Sequence, residues 1–172
     1  AAAFTLFGLS LVYGLSGATN LTEIATGLRG HRLDPLLAVA VVMVIMGFGF
    51  KVAVVPFHLW APDAYEGAPV PAAALIASGS KVASFFVLAK IAVLGFAGVE
   101  GSGAWGQLRS GWLPVLAVLA ASSMVLGNVT AIVQGHLRRL LAYSAIAHAG
   151  YVLLGLMAMG YPSERRSEEH TS

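Results

Sequence analysis

Apolar runs about the length of a bilayer crossing alternate along this chain with short polar stretches. The runs fall at residues 1–16, 36–60, 70–97, 112–134 and 139–160. Roughly 20 residues at a helical rise of about 1.5 Å cross a hydrocarbon core of about 30 Å, so the first run alone is short for a crossing. Each run is continuous, without the alternation that marks a barrel strand, which favours helices. The pattern predicts an all-α fold, a polytopic transmembrane helix bundle of about five spans with no linker to a second domain. The second run carries its own interruption. Gly47 and Gly49 weaken the helix, and Pro56 lacks a backbone donor and clashes with the carbonyl of Val52, so a broken helix is expected near Lys51–Pro56.

Composition agrees with a membrane class and removes several chemistries. Of 172 residues, 58% are hydrophobic and 10% charged, with a mean hydropathy of +0.80; soluble domains run nearer about 25% charged. No cysteine is present, which removes disulfides, Cys-ligated zinc and iron–sulfur clusters. The five histidines lack metal-ligand spacing, so no metal site is expected. A net charge of +2 gives no reason to expect nucleic acid; the partner implied by composition is the lipid bilayer. Residues 1–165 read as a single transmembrane domain that starts without an initiator Met. Residues 166–172, Arg-Ser-Glu-Glu-His-Thr-Ser, are what the short-read sequencing adaptor AGATCGGAAGAGCACACGTCT encodes, so this stretch reads as a translated artefact and the chain as a gene piece truncated at both ends.

Against this background two lysines stand out. A charge at the bilayer centre costs about 2.5–3.5 kcal/mol on insertion scales, and such residues usually face a bundle interior or a water-filled path. Lys51 sits between the glycines and Pro56, beside backbone that must itself be buried in protein or line a cavity. Its alternative is to snorkel to the interface. Lys81 lies deeper, roughly 15 Å into its run, with Ser78 and Ser84 three residues to either side on the same face. Lys90 points to the opposite face near a helix end and can snorkel. Burial favours the neutral form of a lysine and a nearby carboxylate restores the charge, a physical basis for passing protons. No acid lies inside any of the five runs, and Asp63 and Glu66 read as capping or interfacial groups. His148 shares a helical face with Ser144 and Tyr151, either as a proton carrier or as a structural histidine bonded between helices. Arg138 and Arg139 read as headgroup anchors.

These residues lie in strings that resemble a known family. Phe-Lys-Val-Ala-Val-Val-Pro-Phe-His-Leu-Trp-Ala-Pro-Asp-Ala-Tyr-Glu-Gly-Ala-Pro-Val-Pro (50–71), Ser-Lys-Val-Ala-Ser-Phe-Phe (80–86), Gly-Asn-Val-Thr-Ala-Ile-Val-Gln (127–134) and Arg-Arg-Leu-Leu-Ala-Tyr-Ser-Ala-Ile-Ala-His-Ala-Gly-Tyr (138–151) are similar to the proton-translocating, antiporter-like membrane subunits of respiratory complex I. The Pro-Phe-His-Leu-Trp-x-Pro-Asp-x-Tyr-x-Gly-Ala-Pro pattern looks like the subunit N branch of NADH-quinone oxidoreductase.

The resemblance implies a piece, from the sixth helix to the tenth, of a subunit of about fourteen helices with two inverted repeats. It implies that Lys51 is the lysine of a discontinuous helix, that Lys81 is a relay lysine on the next, and that His148 is a link on a central hydrophilic axis. The family's glutamate partner would lie outside this piece. It further implies a non-redox, proton-translocating role in the bacterial plasma membrane among other membrane subunits of the complex. NADH, FMN, iron–sulfur clusters and quinone would belong to other subunits, so no cofactor is expected in this chain, and the piece alone is not expected to be active. The alternatives are a subunit of a multisubunit cation/proton antiporter without redox coupling, and a structural spacer whose lysines are interhelical glue.

Overall fold

The computed structural model describes residues 1–31, 34–101 and 111–160, and the tail at 166–172 lies outside them. Among the described residues every regular element is helical. Helix α1 (Ala2–Ser16) ends at Gly17, whose left-handed backbone (φ 68°) lets its N–H donate to the Tyr13 carbonyl. Four residues on, the Asn20 side chain accepts from Thr22 N at 3.1 Å and starts α2 (Leu21–Leu28). Helix α2, extended by a tight turn to His31, leaves α1 at 64°. The hydropathy pattern alone predicts a polar connection between the first two runs here, with Thr22, Glu23 and Thr26 in it. The structure turns it into a short helix that buries Ile24, Ala25 and Leu28 on one face.

Helix α3 (Pro35–Val52) begins with Pro35 in its first turn and with Asp34 accepting from Leu36 N at 2.8 Å. It stops four residues before Pro56, where the missing donor and the ring of the proline forbid further helix. After the break comes α4 (Trp60–Gly67), then α5 (Val70–Gly95), α6 (Trp112–Ile132) and α7 (Leu137–Gly160). Helices α3, α5, α6 and α7 are each long and apolar enough to cross a membrane, and the bent α1–α2 pair makes a fifth if it counts as one span. That is the all-α polytopic bundle expected, broken after Lys51.

Close packing relies on small residues, as it does wherever apolar lipid removes the usual hydrophobic drive between helices. A Cβ on Gly127 of α6 would stand 2.7 Å from the Ala147 amide of α7, and one on Gly150 of α7 would stand 2.8 Å from the Ala120 carbonyl. Gly47 does similar work within the regular part of α3, where any side chain would collide with Thr5 of α1. Gly49 is nearer the break: its carbonyl accepts from Val54 N at 3.0 Å.

The segment between α3 and α4 is held by partners from elsewhere. Ala53, fully buried, takes a left-handed conformation (φ 59°) that costs a non-glycine residue about 1–2 kcal/mol. Val55 N donates to Ser123 Oγ of α6 at 2.9 Å, in full burial. The Phe50 carbonyl accepts from Trp60 Nε1 at 3.0 Å, and the two rings stack with centroids 5.7 Å apart.

Removing the Ser123 hydroxyl leaves the Val55 amide buried without a partner, so Ser123→Ala should destabilise the fold by about 1–3 kcal/mol. The Ser122 hydroxyl only donates back to the Val118 and Leu119 carbonyls of its own helix. Ser122→Ala should therefore stay within about 0.5 kcal/mol. Chemical unfolding in detergent micelles separates the two.

Candidate functional site

Lys81 is a buried basic side chain within an apolar span. A wide π-type turn, Ile76–Ser80, immediately precedes it in α5, and a second, Ile91–Gly95, ends the helix; such turns are frequent at functional sites. The residue is only 7% exposed, and its Nζ makes no hydrogen bond to the described residues. The expected help from Ser78 and Ser84 takes another form. Their hydroxyls donate back to the Ala74 and Ser80 carbonyls, both at 2.7 Å, so neither donates towards the amine.

Lys81 and His148 line one cavity of about 410 Å³, together with Ser78 and Ser144. Residues 67 positions apart in sequence therefore border one open groove between α5 and α7, at which Lys81 is buried and His148 exposed. His148 Nδ1 is 2.7 Å from the Ser144 carbonyl. A carbonyl only accepts, so Nδ1 carries a proton in this contact and Nε2 is the nitrogen left to take up another. Tyr151 stands edge-on to the imidazole, with centroids 5.9 Å apart, and its hydroxyl accepts from Asn128 Nδ2 at 3.4 Å. The polar face read from Ser144, His148 and Tyr151 thus exists, and Asn128 extends it to α6.

Lys51 is not part of this cavity. The break makes it a cation in the last turn of α3, exposed and near carbonyls that favour positive charge. Of the two readings left open by the sequence, a buried ammonium beside the break or a side chain that snorkels out, the exposed position at the end of α3 matches the second. Pro56 lies on the same connection, exposed. Lys90 is exposed as expected, its Nζ 5.3 Å from the Phe86 ring centre. Among the described residues no carboxylate pairs with any of these lysines.

Several groups escaped the sequence reading. Asp63 and Glu66 of α4 are ion-pair partners of Arg139: its Nη1 lies 2.6 Å from Asp63 Oδ1 and 3.1 Å from Glu66 Oε2. Arg138 Nη1 donates to the Glu66 carbonyl at 3.1 Å. The two arginines therefore clamp α4 to the start of α7. Spacing along the chain offered no hint, since the partners stand 76 and 73 residues apart. Tyr65, on the buried face of α4, places its ring 5.6 Å from Lys81 Nζ. His58, before α4, has a buried Nδ1 without a hydrogen bond to the described residues, and its ring lies 6.3 Å from that of Tyr143. A larger cavity of about 540 Å³ lies beside the start of α3 among Leu37, Val41, Val99 and Pro114. Its one ionisable lining residue, Asp34, is engaged in capping α3. No group of three or more His, Asp or Glu side chains is placed to hold a metal among the described residues.

A bundle of helices long and apolar enough to cross a membrane, with a buried lysine and a histidine bordering one groove, defines the class as a polytopic integral membrane protein. The family model for NADH:quinone oxidoreductase/Mrp antiporter transmembrane subunits matches residues 1–167, and the chain belongs to that family. It is 59% identical over 157 residues to NADH-quinone oxidoreductase subunit N 2 of Acidobacterium capsulatum, covering 91% of this chain and 31% of the relative. With subunit N of Geobacillus kaustophilus it shares 48% over 162 residues, covering 94% and 33%. Among solved structures, a chain of respiratory complex I from Thermus thermophilus with bound aureothin superposes with a TM-score of 0.72 at 38% identity, covering 92% of this chain and 31% of that one. A chain of the Mrp complex from a Dietzia species has the same TM-score at 27% identity, covering 90% and 27%. The chain thus spans about 31% of the length of the first of these relatives. With bacterial relatives and apolar spans, it is an integral protein of the bacterial plasma membrane.

If the arginine clamp holds α4, Arg139→Gln should speed hydrogen–deuterium exchange at residues 60–68 while leaving α6 unchanged. Arg138→Gln, which loses only a contact to a carbonyl, should have the smaller effect. Equal exchange in Arg139→Gln and wild type would remove the clamp from consideration.

Proposed function

We propose that this chain contributes to proton translocation in the membrane arm of an NADH-quinone oxidoreductase, as a non-redox part coupled to quinone reduction in other subunits. The observation that carries the reading is the cavity shared by Lys81 and His148. A buried amine without an ion-pair partner can release its proton, and an imidazole works at neutral pH. Lys81 acts as the relay, His148 as the next station, and Lys51 as the switching lysine on the broken helix. The exposure of Lys51 at a helix end suits a group whose partner comes from outside the described residues. NADH, flavin, iron–sulfur clusters and quinone act elsewhere in the complex, and this chain's partners are other membrane subunits and lipid. Coupling to an oxidoreductase is favoured over a stand-alone cation/proton antiporter by 59% identity to a subunit N against 27% to an Mrp chain.

In the intact complex reconstituted in vesicles, Lys81→Ala should lower quinone-coupled pumping roughly tenfold, or ~1.4 kcal/mol on the barrier. Electron transfer to a soluble acceptor should be unchanged. Lys81→Arg keeps the charge but cannot release a proton, so it should not rescue pumping. Lys51→Ala should behave like Lys81→Ala, and His148→Ala should lose less. Full pumping in Lys81→Ala, or rescue by Arg, would overturn the relay.

A further inference from the structure

Lys81 has a neighbour whose position is unusually well determined. Tyr65 is 7% exposed and sits in a small cluster with Ala53, Ala61 and Ala142, which come from the break, α4 and α7. Ile76 and Ala77, from the wide turn just before Lys81, pack against the same cluster. Trp60 meets the Tyr65 ring edge-on, at 84° and 6.3 Å between centroids. Helix α4 is itself tied to α7 through Asp63, Glu66, Arg138 and Arg139. The ring is therefore fixed from several directions, with Lys81 Nζ 5.6 Å from its centre. That distance is within the reach of a cation–π contact, which strengthens where water is excluded.

An ammonium in an apolar bundle needs something to favour its charged form. A carboxylate in direct contact would do so strongly and hold the proton on the amine. An aromatic face does so weakly, and it offers no site that accepts the proton. Of the polar groups lining the cavity beside Lys81, Ser78 and Ser144 are neutral and His148 is the other group able to carry a proton. We propose that Tyr65 is a positioning residue for Lys81: its ring face steadies the ammonium beside the cavity and lets the amine be loaded without trapping the proton. The inference rests on the relay reading of Lys81 above. It assigns the effect to the ring and not to the hydroxyl, which makes no hydrogen bond to the described residues.

The test keeps the shape of the ring and changes its charge distribution. In the intact complex in vesicles, Tyr65 is replaced by Phe and then, by nonsense suppression, by tri- and pentafluorophenylalanine. Coupled pumping should be unchanged in Tyr65→Phe and fall stepwise with fluorination, by about threefold to tenfold at the last step. In a Lys81→Met background, whose pumping is already low, fluorination should have no further effect. A pentafluoro ring that pumps like Phe would overturn the proposal, as would a loss already complete in Tyr65→Phe. Normal pumping in Lys81→Met alone would instead overturn the relay, and this inference with it. Assembly is monitored by electron transfer to a soluble acceptor, and the fluorinated rings, close in size to Phe, keep the comparison between folded proteins.

Discussion

Where α3 ends, backbone carbonyls lose their helical partners in surroundings with little water to replace them, and the amides that follow have none to inherit. Nearly everything distinctive about this bundle can be traced to how those groups are satisfied. The Gly49 carbonyl takes the Val54 amide, the Phe50 carbonyl takes the Trp60 indole, and the Val55 amide is met by Ser123 of a different helix. Each of these bonds constrains geometry beyond its own energy. The indole fixes where α4 begins relative to the end of α3, and Ser123 fixes the break against α6. An unpartnered polar group costs far more in such surroundings than in water, so the break is as well determined as a helix.

From that placement the polar interior follows. Helix α4 lies where Arg139 can reach both of its acids and where Tyr65 can present its ring to Lys81. Helix α7 contributes the arginines at one end and, three turns further on, His148 at the cavity. Helix α7 thus takes part both in the clamp, with α4, and in the groove, with α5. The break also separates the two lysines in kind: Lys51 becomes a helix-terminal, exposed cation, while Lys81 remains within an unbroken span and buried.

What could be read from sequence was whatever depends on residues close together in the chain. Length and apolarity of the runs require helices, because only helices satisfy their own backbone within one segment. Pro56 stops α3 through its own ring and missing donor, an effect that reaches only four residues back. Periodicity placed Ser144, His148 and Tyr151 on one face for the same reason. Helix α2 went unread because its apolar stripe is too short to register against the polar residues between its positions. Its existence owes as much to the packing of Ile24 and Leu28 as to the Asn20 cap.

Tertiary structure alone decided which groups meet. Nothing in the spacing of Asp63, Glu66 and Arg139 distinguishes an ion pair from separate interfacial charges, and position along the chain alone predicts headgroup anchors for both arginines. Serine hydroxyls on the Lys81 face could have turned towards the amine; they bond instead to the carbonyls one turn back in their own helix. The meeting of Lys81 with His148 and Tyr65 depends on the crossing of helices whose outer surfaces are almost uniformly apolar. A helix greasy on every side carries little information about which side faces its neighbour. Local stereochemistry could therefore establish the spans and the break, but the polar contacts of the interior were set by how the spans pack.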